Sequence, residues 1–109
     1  MYETVISARV ESSINMLVPF YLMCSYAYYV EDDGIVSDAY YDNMSKQLLK
    51  EYDNIQHMHL ALISKDMLIA GSFLGEYPSI ISGAVKHFRR RGLFIQALLP
   101  QYNGKKHNG

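Results

Sequence analysis

Apolar residues recur at helical spacing in three parts of the chain, and the first two of these parts are joined by a short polar loop. The first helix is expected to begin near Val18, with Pro19 in its first turn, and to end at Glu31. The second is expected from Asp38 to Tyr52. Two helices with so short a connection predict an antiparallel hairpin. The apolar stripes are Phe20, Met23, Ala27 and Val30 in the first helix, and Tyr41, Met44, Leu48 and Tyr52 in the second.

The third apolar stripe predicts a helix with Pro78 in its first turn and Gly92 as its stop. Before it, Ser64 is expected to cap a short helix from Lys65 to Ala70, which Gly71 ends. The apolar positions of the third stripe are Tyr77, Ile80, Ile81, Ala84, Val85 and Phe88.

These elements predict an all-α fold, a small single domain of about four helices with an N-terminal helical hairpin. Residues 1–17 fit either a helix or a strand, and we expect a helix there. We place the domain at residues 1–100 and a flexible tail at residues 101–109. The apolar segment 93–100 is expected to dock on the core or on a partner.

The composition is that of an ordinary globular protein, with 50% hydrophobic residues and a net charge of −1. The uncharged run 12–30 is not expected to span a membrane, because polar residues interrupt it. Glu3 stands where a signal peptide would need basic residues, so we expect a cytoplasmic protein. The single cysteine, Cys24, fits a reducing compartment and is expected to be inert in the core.

Charge is distributed unevenly along the chain. Residues 1–53 hold nine acidic and three basic residues, whereas residues 77–109 hold six basic residues and no acid. This asymmetry either helps the two halves to dock or gives the protein two functional faces.

The loop between the first two helices concentrates aromatic and acidic residues, with four tyrosines and five acids in residues 28–42. Ser37 suits the N-cap of the second helix, and Asp38, Tyr41 and Asp42 then share one helix face at spacing i, i+3 and i+4. Such a face can attract a cation between its carboxylates. The alternative is a solvated helix start in which Tyr41 belongs to the core and Asp42 pairs with Lys46.

Tyr28 and Tyr29, at the end of the first helix, are expected to bring aromatic rings to the same place. A pocket of tyrosines and carboxylates suits a flat cationic ring, because cation–π and Coulomb attraction then act together.

This stretch resembles the N-terminal Ia domain of NAD-dependent DNA ligases, and the resemblance covers about residues 21–52. Small stand-alone ligase-like proteins of bacteriophages look similar. The residues that match the family pattern are Tyr28, Tyr29, Asp32, Val36, Ser37, Asp38, Tyr41 and Asp42. The chain departs from the pattern at Gly34, where the family usually has proline, which leaves the loop freer, and at Met44, where it has leucine.

In that family the matching aromatic and acidic residues hold the nicotinamide mononucleotide (NMN) half of NAD. The resemblance therefore implies that NMN or NAD is the ligand, and it implies a place in the host cell cytoplasm if a phage encodes the protein. Separately, no metal cofactor is expected from the sequence. The implied ligand-binding residues are Tyr28, Tyr29, Asp38, Tyr41 and Asp42.

A ligase also needs a nucleotidyl-transfer lysine in a K-x-D-G motif. The one Asp-Gly pair, Asp33-Gly34, has Glu31 at the position of that lysine. We therefore expect a non-catalytic module and no enzyme activity. It would bind NMN or NAD alone, or complete a split ligase with an adenylation-domain protein. The alternative is a bacteriophage protein that inhibits a host enzyme or defence complex by protein–protein contact, with the nucleotide pocket no longer used.

Two further clusters carry weaker signals. Arg89, Arg90 and Arg91 either complement the dipole of the third helix or contact a phosphate or an acidic partner. No aromatic residues are interleaved with them, so sequence-specific nucleic-acid binding is not expected. His57 and His59 have the spacing of metal ligands, but no further ligands lie near them in the sequence.

Overall fold

A computed structural model of the chain describes residues 2–73 and 75–102, with side chains as far as residue 90. All regular structure in these residues is helical, which confirms the all-α fold. Three 3₁₀ turns, at 14–16, 52–54 and 58–62, connect the helices. The helices are α1 (Glu3–Ser12), α2 (Leu17–Tyr29), α3 (Asp38–Glu51), α4 (Lys65–Ala70) and α5 (Ser79–Tyr102).

Helix α2 is the centre of the core, because nine of its 13 residues are buried. Helices α3 and α5 pack against it, and α4 packs against α3. Burial on nearly all sides explains why α2 carries no charge from Leu17 to Ala27. No helix in the described part of the chain combines the length and the hydropathy that crossing a bilayer requires.

Helices α3 and α4 begin, and α4 ends, where local signals in the sequence predict. Ser37 Oγ accepts a hydrogen bond from the Tyr40 amide at 3.1 Å, and Ser64 Oγ accepts one from the Met67 amide at 3.1 Å. Gly71, with φ of 78°, ends α4 in the left-handed conformation that glycine adopts without strain. The helix expected in residues 1–17 is present as α1, which buries Val5 and Ile6.

Helix α2 ends at Tyr29, two residues before the predicted end at Glu31. The amides of Val30 and Glu31 both bond the carbonyl of Tyr26, and Asp32 has a left-handed φ of 54°, so the chain leaves the helix axis here. Val30 is consequently 54% exposed and does not belong to the apolar stripe, contrary to the prediction.

Two predictions for the third stripe are wrong. Helix α5 continues through Gly92 to Tyr102, because one glycine inside a helix costs only about 1 kcal/mol relative to alanine and does not stop it. Ile80 is 67% exposed, while Ile81, Val85 and Phe88 are buried as expected. The docking predicted for 93–100 concerns side chains outside the described residues. The predicted tail at 101–109 includes Tyr102, the last residue of α5, and its remainder from residue 103 also lies outside the described residues.

Candidate functional site

The loop between α2 and α3 is held in place by two buried apolar side chains and by hydrogen bonds to the start of α1. Ile35 and Val36 turn inward and are buried. The Ile35 carbonyl accepts a hydrogen bond from the Tyr2 amide at 3.2 Å, and Glu3 Oε2 accepts one from the Ser37 amide at 2.9 Å. Helix α1 therefore fixes the point at which α3 begins.

A cavity of about 420 Å³ opens between the end of α2 and the start of α3. We call it the tyrosine pocket. Its volume lies in the range of roughly 300–1,000 Å³ that is typical of small-molecule sites. All five residues that the sequence predicted for ligand binding line it, together with the buried Ile35 and Cys24 and with Gly71 at the end of α4. The five are Tyr28, Tyr29, Asp38, Tyr41 and Asp42.

Three tyrosine rings form the aromatic part of the pocket. The rings of Tyr28 and Tyr41 are nearly parallel, with an interplanar angle of 21° and centroids 6.4 Å apart. Tyr29 stands across both, at 82° to Tyr28 and 77° to Tyr41. Two parallel faces and one perpendicular face thus surround the same space.

Tyr41 is the fixed member of this group. The buried Tyr21 stacks on Tyr41 with centroids 5.3 Å apart, and the hydroxyl groups of Tyr41 and Ser25 share a hydrogen bond of 2.6 Å. Burial raises the pKa of the Tyr41 phenol far above its usual range, so this ring stays neutral. Tyr28 and Tyr29 are 47% and 44% exposed and have room to adjust to a ligand.

Two carboxylates stand at the rim of the tyrosine pocket. Asp38 and Asp42 are both exposed, on the same face of α3. Asp42 also pairs with Lys46 at 3.3 Å, so the alternative expected for this residue is realised alongside its place at the rim. No basic residue lines the pocket among the described residues. The rim is therefore negatively charged.

Arg89 holds the loop from the side of α5. Its Nε lies 2.9 Å and one terminal nitrogen 2.8 Å from Glu31 Oε1, and its other terminal nitrogen lies 3.3 Å from Asp33 Oδ2. It also donates to the Asp33 carbonyl. The sequence suggested an anion or partner contact for this residue, but its guanidinium is already occupied within the molecule. That contact stays a prediction for Arg90, which is exposed, and for Arg91, whose side chain lies outside the described residues.

The two histidines form a local hydrogen bond. His57 Nδ1 accepts from the His59 amide at 3.1 Å, and burial lowers the pKa of His57. Within residues 2–73 and 75–102, no group of three or more histidine, cysteine or acidic side chains is placed to hold a metal ion.

Cys24 forms part of the pocket wall, and its thiol is expected to be unreactive. It is 1% exposed, and burial raises its pKa from 9.0 to about 12. At about pH 8 the thiolate fraction then falls by about a thousandfold, so Ellman's reagent should label the folded protein at least that much more slowly than the denatured protein. Labelling of the folded protein at the denatured rate would show that the pocket wall opens in solution.

Comparison with protein-family models, with curated proteins and with solved structures found no significant match.

Proposed function

We propose that this chain is a non-catalytic recognition module that binds the nicotinamide half of NMN or NAD. It acts alone or completes a split ligase with an adenylation-domain protein. The observation that supports the proposal is that five residues chosen from a sequence pattern line one cavity. Nucleotidyl transfer would need a lysine that this chain lacks in the required motif, so that chemistry would belong to the partner.

The ring geometry suits a flat cationic ligand. A ring held between two parallel aromatic faces needs about 7 Å, twice the contact distance of about 3.5 Å. The Tyr28 and Tyr41 centroids are 6.4 Å apart, and the gap between the two ring planes is at most this distance, so the exposed Tyr28 has to move outward by at least about half an ångström. A desolvated cation–π contact contributes about 2 kcal/mol, and the positively charged nicotinamide ring would make one here.

The charges at the rim of the pocket also favour a cationic ligand. Asp38 and Asp42 present two carboxylates beside the aromatic faces, and Lys46 offsets only the charge of Asp42. Coulomb attraction to a positive ring adds to the stacking, and it is strongest at low ionic strength.

Calorimetric titration tests this proposal. NMN and NAD should bind saturably, and AMP, which lacks the nicotinamide ring, should not. Tyr28→Ala should weaken NMN binding by about tenfold or more, because base–aromatic stacking contributes about 1–3 kcal/mol. Met58→Ala is the control, because Met58 is 83% exposed and does not line the tyrosine pocket. Absence of saturable NMN and NAD binding at millimolar ligand, in a folded protein, would contradict the proposal.

The second candidate is a bacteriophage protein that inhibits a host enzyme or defence complex by direct contact. Met58, Ile69 and Ile80 are 83%, 70% and 67% exposed, so their apolar side chains would be available to such a contact. This candidate leaves the tyrosine pocket unused, so the titration with NMN separates the two functions.

A further inference from the structure

We infer that the tyrosine pocket recognises the cationic ring of its ligand and not a phosphate group. Its ligand class would then be N-substituted pyridinium cations, including nicotinamide riboside, which has the ring and the ribose but no phosphate. This inference rests on the proposed function, which supplies the binding of the nicotinamide ring. It goes beyond that function in stating that the phosphate is not recognised.

The charge of the pocket lining disfavours a phosphate. Two carboxylates, Asp38 and Asp42, belong to the lining, and no described lining residue is basic. Phosphate sites in proteins use arginine or lysine side chains, or the amides at a helix N-terminus. A phosphate inside this pocket would be repelled by Asp38 in particular, because Lys46 partly offsets the charge of Asp42.

Two cations among the described residues, Arg89 and Lys46, are already engaged with carboxylates. Arg89 is held by Glu31 and Asp33 at distances of 2.8–3.3 Å. Lys46 is paired with Asp42 at 3.3 Å and lies outside the pocket lining. Recruiting either of them to a phosphate would break an existing ion pair.

The N-terminus of α3 is otherwise a natural place for an anion. Ser37 Oγ already accepts from the Tyr40 amide there. The Asp38 carboxylate sits in the first turn, where it complements the helix dipole. A carboxylate of the protein thus already stands where this helix end favours negative charge.

It follows that the ring must carry its positive charge to bind well. The dihydro form of nicotinamide has nearly the same size but is neutral and no longer aromatic. It loses the Coulomb attraction to the rim and the cation–π contact with the tyrosines. The pocket would thus select the oxidised state of the ring and leave any phosphate in solvent.

The experiment compares three ligands by calorimetry on the full chain at one ionic strength: nicotinamide riboside, NMN and reduced nicotinamide riboside. The riboside should bind no weaker than NMN, within about threefold, and the reduced riboside should bind about tenfold weaker or worse. Asp38→Asn should weaken riboside binding by about threefold or more. Asp53→Asn removes the same charge from an exposed residue outside the pocket, and it should leave the affinity unchanged.

The outcomes separate the inference from the proposed function. NMN binding that is tighter than riboside binding by more than about threefold would overturn the inference and leave the proposed function standing. Equal binding of the oxidised and reduced ribosides would also overturn it. Riboside binding without NMN or NAD binding would support the inference and overturn the proposed function. Absence of binding by all three ligands would overturn both.

Discussion

Replacing Tyr21 by alanine should lower the free energy of unfolding by about 4 kcal/mol, the cost of deleting a large aromatic side chain from a core. Tyr21 is fully buried on α2. It stacks on Tyr41 with centroids 5.3 Å apart and meets Phe73 edge-on at 6.2 Å. This loss is a large part of the roughly 5–15 kcal/mol that stabilises a typical domain. Chemical denaturation followed by circular dichroism measures it.

The matched variant Tyr21→Phe should not lower the free energy of unfolding. In the part of the chain that the structure describes, the buried Tyr21 hydroxyl makes no hydrogen bond of good geometry, although the Tyr41 hydroxyl is near enough to interact with it. Removing a buried hydroxyl without a well-formed hydrogen bond costs little and should stabilise the fold by up to about 1 kcal/mol. If Tyr21→Phe destabilised the protein by more than about 1 kcal/mol, the hydroxyl would be paired in solution. The packing behind Tyr41 would then differ from that described here.

Replacing Arg89 by methionine should lower the free energy of unfolding by about 2 kcal/mol. The side chains of Arg89 and Glu31 are 26% and 22% exposed. The expected cost therefore lies between the small value of a surface ion pair and the 3–5 kcal/mol of a buried one. Methionine keeps the apolar stem and removes the charge, so packing changes little. Denaturation gives the stability, and hydrogen exchange at the Asp33 amide, which bonds the Ala27 carbonyl at 2.9 Å, reports on the loop.

Arg90→Met is the control for Arg89→Met, because Arg90 is exposed on the same helix and carries the same charge. Its effect should stay within about 0.5 kcal/mol. Arg89→Met should also weaken NMN binding, since the loop that it holds supplies Gly34, Ile35 and Val36 to the pocket. Equal stability of the two variants would contradict the role assigned to Arg89. Arg89 thereby restrains the loop that carries Gly34.

Signals that depend on neighbouring residues in the sequence predicted the structure well. Ser37, Ser64 and Gly71 cap or end helices through hydrogen bonds and backbone angles that are set within one turn. The i, i+3, i+4 spacing placed Asp38, Tyr41 and Asp42 on one face for the same reason.

Features that depend on packing between distant segments were not predictable in this way. Val30 and Ile80 have helical spacing, but no element in the described part of the chain covers them, and both are exposed. The ion pair between Arg89 and Glu31 joins residues 58 positions apart. The asymmetry of charge along the chain indicated that the two halves might attract each other, but it could not identify the pair.

In the tyrosine pocket, too, the residues that are close in sequence were predicted and those brought in by packing were not. Its five predicted residues come from two adjacent helix ends, which the hairpin brings together. The residues of the inner wall come from separate parts of the chain. Cys24 lies in the middle of α2, Ile35 turns inward from the loop, and Gly71 ends α4. No sequence signal marked these three as pocket residues; Gly71, for example, reaches the pocket through the packing of α4 on α3.

The most direct test of the account is an NMR titration of the isotope-labelled protein with NMN, observed at aromatic and backbone signals. Insertion of the nicotinamide ring between Tyr28 and Tyr41 predicts ring-current shifts at Tyr28, Tyr29 and Tyr41 and amide shifts at Asp38 and Asp42. The Met58 and Ile69 signals should stay in place. Unchanged tyrosine signals at millimolar NMN, or shifts confined to residues outside the tyrosine pocket, would contradict the claim that this pocket binds the nicotinamide ring.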